Sequence, residues 1–427
     1  MKTKIKLIHW IIFLWLSFFV LQFSFIINSV LLIVSYFGLL LNDASSAMNF
    51  LNFGFVDSAI SSLLFLFIIP LIIILKKRLH FIEARLNFTT AFLILLGFLF
   101  LFAPLITKEN PEFSKNLAVT KLLPPLSSVK QIELKNTVMQ NLSKAEIFRN
   151  KFEKIIKPSF NNNIILADSV IIAEQIIYYQ KNNHFTIDKE ELISENGIPI
   201  IEEKFYLLGT DEFGRDIFTR LVFGTRISIS VGLGAVMVSF FIGILLGFIA
   251  GYRGGILDVL LNRFTEMFLA FPVIYLIVLF LALFGNSIFS VIIVLGISGW
   301  MSLFKVVKSE VLSIKQKDFF RTAELVGLNK YHLLVREIIP MIFAPVLVNL
   351  IFLFSNVILA EAALSYLGLG TGNSYPSWGS MISSGQEYIT KAWWLIAFPG
   401  LVLILTLFTF NSSGKMLGRV FNPGIKQ

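Results

Sequence analysis

The sequence predicts an all-α polytopic membrane protein with a small α+β domain on one side of the bilayer. Three observations predict it. Of the 427 residues, 56% are hydrophobic and only 15% are charged, well below the roughly 25% charged residues of soluble domains. About eight apolar segments long enough to cross a bilayer follow one another along the chain. One long polar region, Thr107–Tyr206, interrupts them.

The apolar segments come in order. Ile8–Leu41 is too long for one ordinary span, so it reads as one tilted helix or as a helix plus an interfacial piece. Val56–Leu75 and Phe88–Ile106 follow. After the polar region come Ile227–Ala250, Phe264–Leu283, Ser287–Val307, Met341–Ala360 and Trp393–Phe410. Lys2, Lys4 and Lys6 before the first run imitate a signal peptide. The run is long and lacks a small-x-small cleavage site, so it reads as an uncleaved anchor. Pro272 and Pro399 fall inside spans, and Gly285, Gly296 and Gly299 fall in or near one, where such residues kink helices or let them pack closely. The Phe-rich faces read as lipid-facing or packing surfaces.

Orientation follows from the bias of Lys and Arg in short loops. Lys2, Lys4 and Lys6 put the N-terminus in the cytoplasm. Lys76, Lys77, Arg78 and Arg85 do the same for the second loop, and Arg253 and Arg263 for a third. Lys305 to Arg336 mark a strongly basic cytoplasmic segment, and Lys415, Arg419 and Lys426 place the C-terminus inside. Eight spans satisfy all of these assignments and leave Thr107–Tyr206 outside, with Lys151 and Lys181 external and Lys77 and Lys330 cytoplasmic. Within the external region Val129–Leu134 alternates like a strand. Ser143–Ile156 has helical periodicity, with Ser143 and Glu146 as a capping box. Asp168–Tyr179 reads as a second helix, and Asn196-Gly197 as a tight turn.

Several classes of chemistry are excluded by composition. The chain has no cysteine, so no disulfide, thiolate metal site or Cys nucleophile exists. Its four His are scattered without metal-ligand spacing. Gly414-Lys415 lacks the Ser/Thr and the upstream Gly of a phosphate loop, and no Ser nucleophile elbow, HExxH or GxGxxG with an acidic partner occurs. The reading is therefore no catalytic residue, no metal and no cofactor. The net charge of +9 belongs to dispersed loop residues and forms no stripe for a nucleic acid.

Two segments carry more than periodicity. Asp318–Pro340 is a polar, helix-favouring island between two spans. Ala323 and Gly327 are four apart and share a helix face. Gly327 can end that helix, and Asn329 can cap a second short helix that stops at Pro340. From the residues alone this is either a docking element or an amphipathic interfacial linker. Leu208–Arg226 runs straight into a span. Thr210 or Asp211 can cap an interfacial helix there, Asp211, Arg215 and Asp216 can pair at helical spacing, and Arg226 can snorkel. Glu361 is the one acid of an otherwise apolar run. About twenty residues past Pro340, it should sit near the outer face. It reads as a functional group or as a structural acid paired with an Arg or with backbone amides.

These segments resemble a known family. Asp318–Pro340 resembles the EAA loop of binding-protein-dependent ABC importer permeases, with Ala323, Gly327 and Pro340 at the pattern's Ala, Gly and Pro. It departs at Arg321, Thr322, Glu337 and Ile339. Leu208-Gly-Thr-Asp-Glu-Phe-Gly-Arg-Asp resembles a segment of the dipeptide/oligopeptide permease C subunits, matching at Asp211, Gly214, Arg215 and Asp216, with the Gly-Thr-Arg-Ile-Ser run at Gly224–Ser228. Phe102-Ala-Pro-Leu, Ala250-Gly-Tyr-Arg-Gly-Gly, Glu361-Ala-Ala-Leu-Ser-Tyr-Leu-Gly-Leu-Gly and Pro376-Ser-Trp-Gly follow the same family in the same order. The resemblance covers about Arg85–Pro423.

It implies a type I ABC importer transmembrane fold with a six-span core, to which this chain adds two N-terminal spans and the α+β insert. The expected organisation is an N-terminal extension over 1–84, a first core span at 85–106, an external insert at 107–206 and a five-span permease core at 207–423. The resemblance implies an ATPase-coupling loop at 318–340 that includes Arg321, Ala323, Glu324, Gly327 and Pro340. It implies an external gate formed by Asp211, Gly214, Arg215, Asp216, Glu361 and Trp378 on one side of the membrane. It also implies a bacterial inner-membrane location and alternating access driven by two separate ATPase subunits. A second, B-type permease chain and an extracytoplasmic substrate-binding protein complete the set of partners. Peptides are the implied cargo. Nickel, glutathione or another small solute stays open, as does a secondary transporter with buried ion pairs and an inverted repeat. A membrane-embedded enzyme would need clustered His, Asp or Ser within the spans, and none occurs.

Overall fold

The computed structural model describes residues 7–51, 53–75, 87–107, 109–134, 144–156, 164–173, 175–192, 194–195, 198–326, 333–370 and 376–421. They divide into two units. The first is Met1–Arg226 with Ser384–Phe398, and the second is Ile227–Ser383 with Pro399–Gln427.

In the first unit the opening apolar run is two helices, α1 (Leu7–Leu21) and α2 (Phe23–Asn42). The joint is a kink and not a hairpin. Gln22 leaves helical geometry (φ −117°, ψ 21°), yet its N–H still reaches Phe18 O at 3.0 Å and its carbonyl still accepts from Ile26 N at 2.9 Å. Next come α3 (Ala44–Met48), α4 (Phe53–Leu75) and α5 (Phe88–Ile106). Asp43 caps α3 by accepting from Ser46 N at 3.1 Å. Helix α1 runs beside α5 in the same direction. Trp10 Nε1 donates to Ala91 O, the Phe18 and Phe98 rings meet at 5.4 Å, and Gln22 Nε2 donates to Ile106 O. Helix α4 returns antiparallel, with Ser61 Oγ donating to Leu101 O and Phe65 packed on Phe98 and Phe102.

The insert follows α6 (Leu117–Thr120). It comprises β1 (Ser127–Glu133), α7 (Lys144–Ile156), β2 (Ile164–Ala167), β3 (Ser169–Ile172), β4 (Ile176–Gln180), β5 (Asn183–Ile187), β6 (Ser194–Glu195), β7 (Ile198–Pro199) and β8 (Ile201–Tyr206). All pairings are antiparallel. One sheet has the order β2-β1-β8, a second β3-β4-β5, and β6 pairs with β7. The helix expected over Asp168–Tyr179 is instead a hairpin of β3 and β4. Ser-Val-Ile-Ile and Ile-Ile-Tyr-Tyr are β-branched and aromatic runs, which suit a pleated, half-buried surface better than a helix. Ser143, Asn196 and Gly197 lie outside the described residues.

The long helix α8 (Ile217–Arg253) begins in the first unit and continues into the second. It is followed by α9 (Gly255–Ala270), α10 (Val273–Phe284), α11 (Ile288–Lys315) and α12 (Asp318–Leu325). A π-helical turn at Leu333–Ile338 leads into α13 (Ile339–Tyr366), and then come α14 (Trp378–Gly385) and α15 (Trp394–Phe421). The span expected at Phe264–Leu283 is a pair of helices bent by 83°. Pro272 bars the helical conformation at Phe271, which is extended (φ −85°, ψ 134°). The second short helix expected to stop at Pro340 does not stop there. The chain runs on into α13, with Pro340 in that helix's first turn.

Helix α8 packs tightly on α11. A Cβ on Gly247 would lie 2.8 Å from Phe304 O, so only glycine allows this approach. The core of the second unit forms where α8, α10, α11 and α13 meet, around Val231, Leu281, Leu295 and Val357. Six described helices are long and apolar enough to cross a membrane, or seven spans if the bent pair counts as one.

Candidate functional site

The turn Asp211–Asp216 is built by its own carboxylate. Asp211 Oδ1 accepts from Phe213 N and Arg215 N, both at 2.9 Å. Gly214 has φ +70°, and a Cβ there would fall 2.1 Å from Thr120 Oγ1, so the position admits only glycine. Thr210 fastens the turn to the preceding loop. Its Oγ1 donates to Thr120 O and accepts from Leu123 N, while its carbonyl accepts from Trp394 Nε1 at 3.2 Å.

A four-charge network grows on this turn. Arg215 Nε donates to Asp211 Oδ2 at 2.7 Å and its Nη1 to Glu112 Oε2 at 2.6 Å. Arg220 Nη1 donates to Glu112 Oε1 at 2.7 Å, with its Nε 3.6 Å from Asp211 Oδ2. Burial works against the Arg215 charge, but Asp211 and Glu112 outweigh it and hold the guanidinium protonated. Burial pushes Glu212 and Asp216 above the usual carboxylate range.

The expected helical pairing of Asp211, Arg215 and Asp216 takes a different form. Asp211 and Arg215 pair across a turn, and the helix starts only at Ile217. Its cap is Asp216, which accepts from Thr219 N and Thr219 Oγ1 at 2.9 and 2.6 Å; it is neither Thr210 nor Asp211. Arg226, expected to snorkel, instead makes a two-pronged ion pair with Asp57 of α4.

In the second unit Glu361 of α13 is fully buried. Its partners are hydroxyls, and neither the Arg nor the backbone amides of the structural alternative. Ser365 Oγ donates to Oε1 at 2.7 Å and Ser228 Oγ to Oε2 at 3.1 Å. Ser377 Oγ donates on to Ser365 Oγ, and the N–H of buried Trp378 to Ser228 Oγ. Carboxyl, hydroxyls and the start of α14 thus form one connected set. The six residues expected at an external gate therefore fall in two sets. Asp211, Gly214, Arg215 and Asp216 stand together in the first unit, and Glu361 and Trp378 in the second.

The segment 318–340 is anchored on one side and bare on the other. Phe320 of α12 is buried against Leu333, Ile338 and Ile314, and Ala323 packs on the same cluster. Arg321 is exposed and Glu324 lies on the same helix. Leu325 and Val326, at the far end, are 87% and 75% exposed. Gly327 and Asn329 lie outside the described residues. Among the described residues no group of three or more His, Asp or Glu is placed to hold a metal ion.

Sequence reasoning missed Glu112, Arg220, Asp57, Ser228, Ser365 and Ser377. The three serines stood inside segments already singled out, Ser228 closing one run, Ser365 four residues past Glu361 and Ser377 beside Trp378, and that was a usable signal. Glu112 and Asp57 carry no local signal, because their partners are 103 and 169 residues away.

Residues 243–427 match the family of binding-protein-dependent transport system inner membrane components. The oligopeptide transport system permease protein OppC of Haemophilus influenzae is 31% identical over 318 residues, which cover 74% of this chain and 96% of that one. The di/tripeptide transport system permease protein DppC of Pseudomonas aeruginosa is 34% identical, covering 52% of this chain and 73% of its own. Among solved structures, the inward-facing MetNI methionine ABC transporter aligns over 48% of this chain and 98% of the matched chain, with 14% identity and a TM-score of 0.41.

This chain belongs to the family of binding-protein-dependent transport system inner membrane components. It is an integral membrane permease subunit of an ABC importer, and separate ATPase subunits hydrolyse the ATP. Membership also implies a binding-protein partner.

Proposed function

We propose that this chain forms half of a translocation pathway for di- and oligopeptides. A second, B-type permease chain supplies the other half, two ATPase subunits drive it, and an extracytoplasmic binding protein delivers the cargo. The peptide cargo rests on relatives whose names specify oligopeptide and di/tripeptide transport. The observation that carries the mechanism is α12: a short helix fixed to the membrane core by Phe320 while offering Leu325 and Val326 to a partner. Two bare apolar side chains at the tip of a charged segment suit a hydrophobic cleft in an ATPase. Closure of the ATPase pair would then swing α11 and α13 through Phe320 and Leu333 and alternate access. In this reading the Asp211–Asp216 turn and the Glu361 cluster belong to the external gate.

The test is uptake by proteoliposomes holding the full transporter and its binding protein. ATP-dependent accumulation of labelled di- and oligopeptides is expected. Uptake of nickel without peptide would overturn the cargo, and uptake driven by an ion gradient without ATP would overturn the class. Leu325→Asp with Val326→Asp is expected to cut ATPase co-purification at least about tenfold, as loss of one or two interface anchors does, while the chain still inserts. Unchanged co-purification would remove α12 from the interface.

Both termini are assigned to the cytoplasm by the charge bias. Cysteines at Lys151 and Lys317, in this Cys-free chain, should report it. An impermeant maleimide added outside should label position 151 and spare 317, and the reverse pattern would invert the topology.

A further inference from the structure

Helix α2 is one of the six helices long and apolar enough to cross a membrane, yet it stands in an unusual position for such a sequence. Helix α1 accompanies α5 along its length, from Trp10 at Ala91 to Gln22 at Ile106. Thr107 then ends α5, and the chain enters the insert. Helix α2 therefore starts at the level where α5 finishes, on the insert side. It holds no charged residue from Phe23 to Asn42.

Its two faces differ. Leu32, Tyr36 and Leu39 pack on Phe148 and Phe152 of α7 and on Phe55 of α4. Ile27, Leu31, Val34 and Leu41 recur at helical spacing on the other side and are exposed, Val34 at 62% and Leu41 at 88%. On α1, which runs beside α5, Val20, Leu16 and Phe13 are exposed as well. Helix α7 is of the opposite character. Behind Phe148 and Phe152 it turns exposed Arg149 and Lys151 to solvent, where they suit phosphate headgroups.

We infer that α2 is an interfacial helix of the outer leaflet. Its Ile27–Leu31–Val34–Leu41 stripe lies among lipid acyl chains, and through Tyr36, Phe148 and Phe152 it holds the insert against the membrane surface. Exposed apolar residues on α1 are followed by exposed apolar residues on α2, and the same solvent covers both. The non-helical backbone at Gln22 falls at this joint, and the helical hydrogen bonds on either side of it persist. The first apolar run then crosses once, and the rest of it fastens the insert.

Spin labels test this directly. Single cysteines replace Ile27, Leu31, Val34 and Arg149 in the full chain, which is reconstituted in liposomes and labelled with a nitroxide. A label at Val20 serves as the lipid reference. At 27, 31 and 34 collision with oxygen should exceed collision with a water-soluble nickel chelate several-fold, as at 20, and the ratio should invert at 149. High nickel access at 31 and 34 would put the stripe in water and overturn the proposal. Low access to both reagents would mean a protein partner covers it, which would also overturn it. Three stripe positions are used so that one misfolded variant leaves the others to decide.

Discussion

Asp211→Ala is expected to destabilise the folded chain by about 3–5 kcal/mol, the range for breaking a buried, hydrogen-bonded charge pair from one side. The carboxylate side chain is only 3% exposed. It shapes the turn through the N–H groups of Phe213 and Arg215 and neutralises Arg215 and Arg220. Alanine removes both functions and leaves two guanidiniums facing Glu112 alone. Asp211→Asn keeps an acceptor for the turn, so it should lose less. Detergent-extracted protein followed by size-exclusion chromatography and thermal melting measures both. A melting point for Asp211→Ala within a degree of the parent would show that the network is idle. Arg215→Ala is the gentler probe, because Arg220 still pairs with Glu112. It should fold, and lost uptake with ATPase assembly preserved would mark the Asp211–Asp216 turn as part of the gate.

Gly379→Val is the second large effect expected, at about 3 kcal/mol, the upper end for overpacking. A Cβ at Gly379 would lie 2.5 Å from Ala362 O and 2.7 Å from its Cα. Backbone cannot step aside as a flexible side chain can, so α14 must lift off α13. That movement pulls Ser377 and Trp378 from the hydroxyl chain around Glu361. The companion Glu361→Gln preserves the shape and most of the hydrogen bonds, and it should stay within about 1 kcal/mol of the parent. Thermal melting in detergent and uptake in proteoliposomes read both. Gly379→Val with a parental melting point would contradict the packing. Glu361→Gln that folds but fails to transport would mean the carboxyl itself is used.

Much of the membrane core was legible because its signal is local. Long apolar runs such as Phe88–Ile106 must become helices in lipid, where every backbone N–H needs a partner within the segment. Pro272 announced a distortion at its own position, though not its angle. The motif residues Asp211, Gly214 and Glu361 stood out by type, one acid or one glycine where the pattern demanded it. Short segments were less legible. Asp168–Tyr179 has residues compatible with either period, and only strand partners decide.

The sequence by itself determined which stretches avoid water, where Gly and Pro interrupt them, and which family the chain resembles. All of these follow from side-chain chemistry read over a few turns. Tertiary structure alone decided that Arg226 is held by Asp57, that Glu112 joins two arginines, that Glu361 meets Ser228 from α8, and that Phe23–Asn42 packs on α7. Each depends on which helices meet, and a pair 169 residues apart is set by the packing of whole faces, to which no short stretch of sequence contributes enough free energy to be read alone.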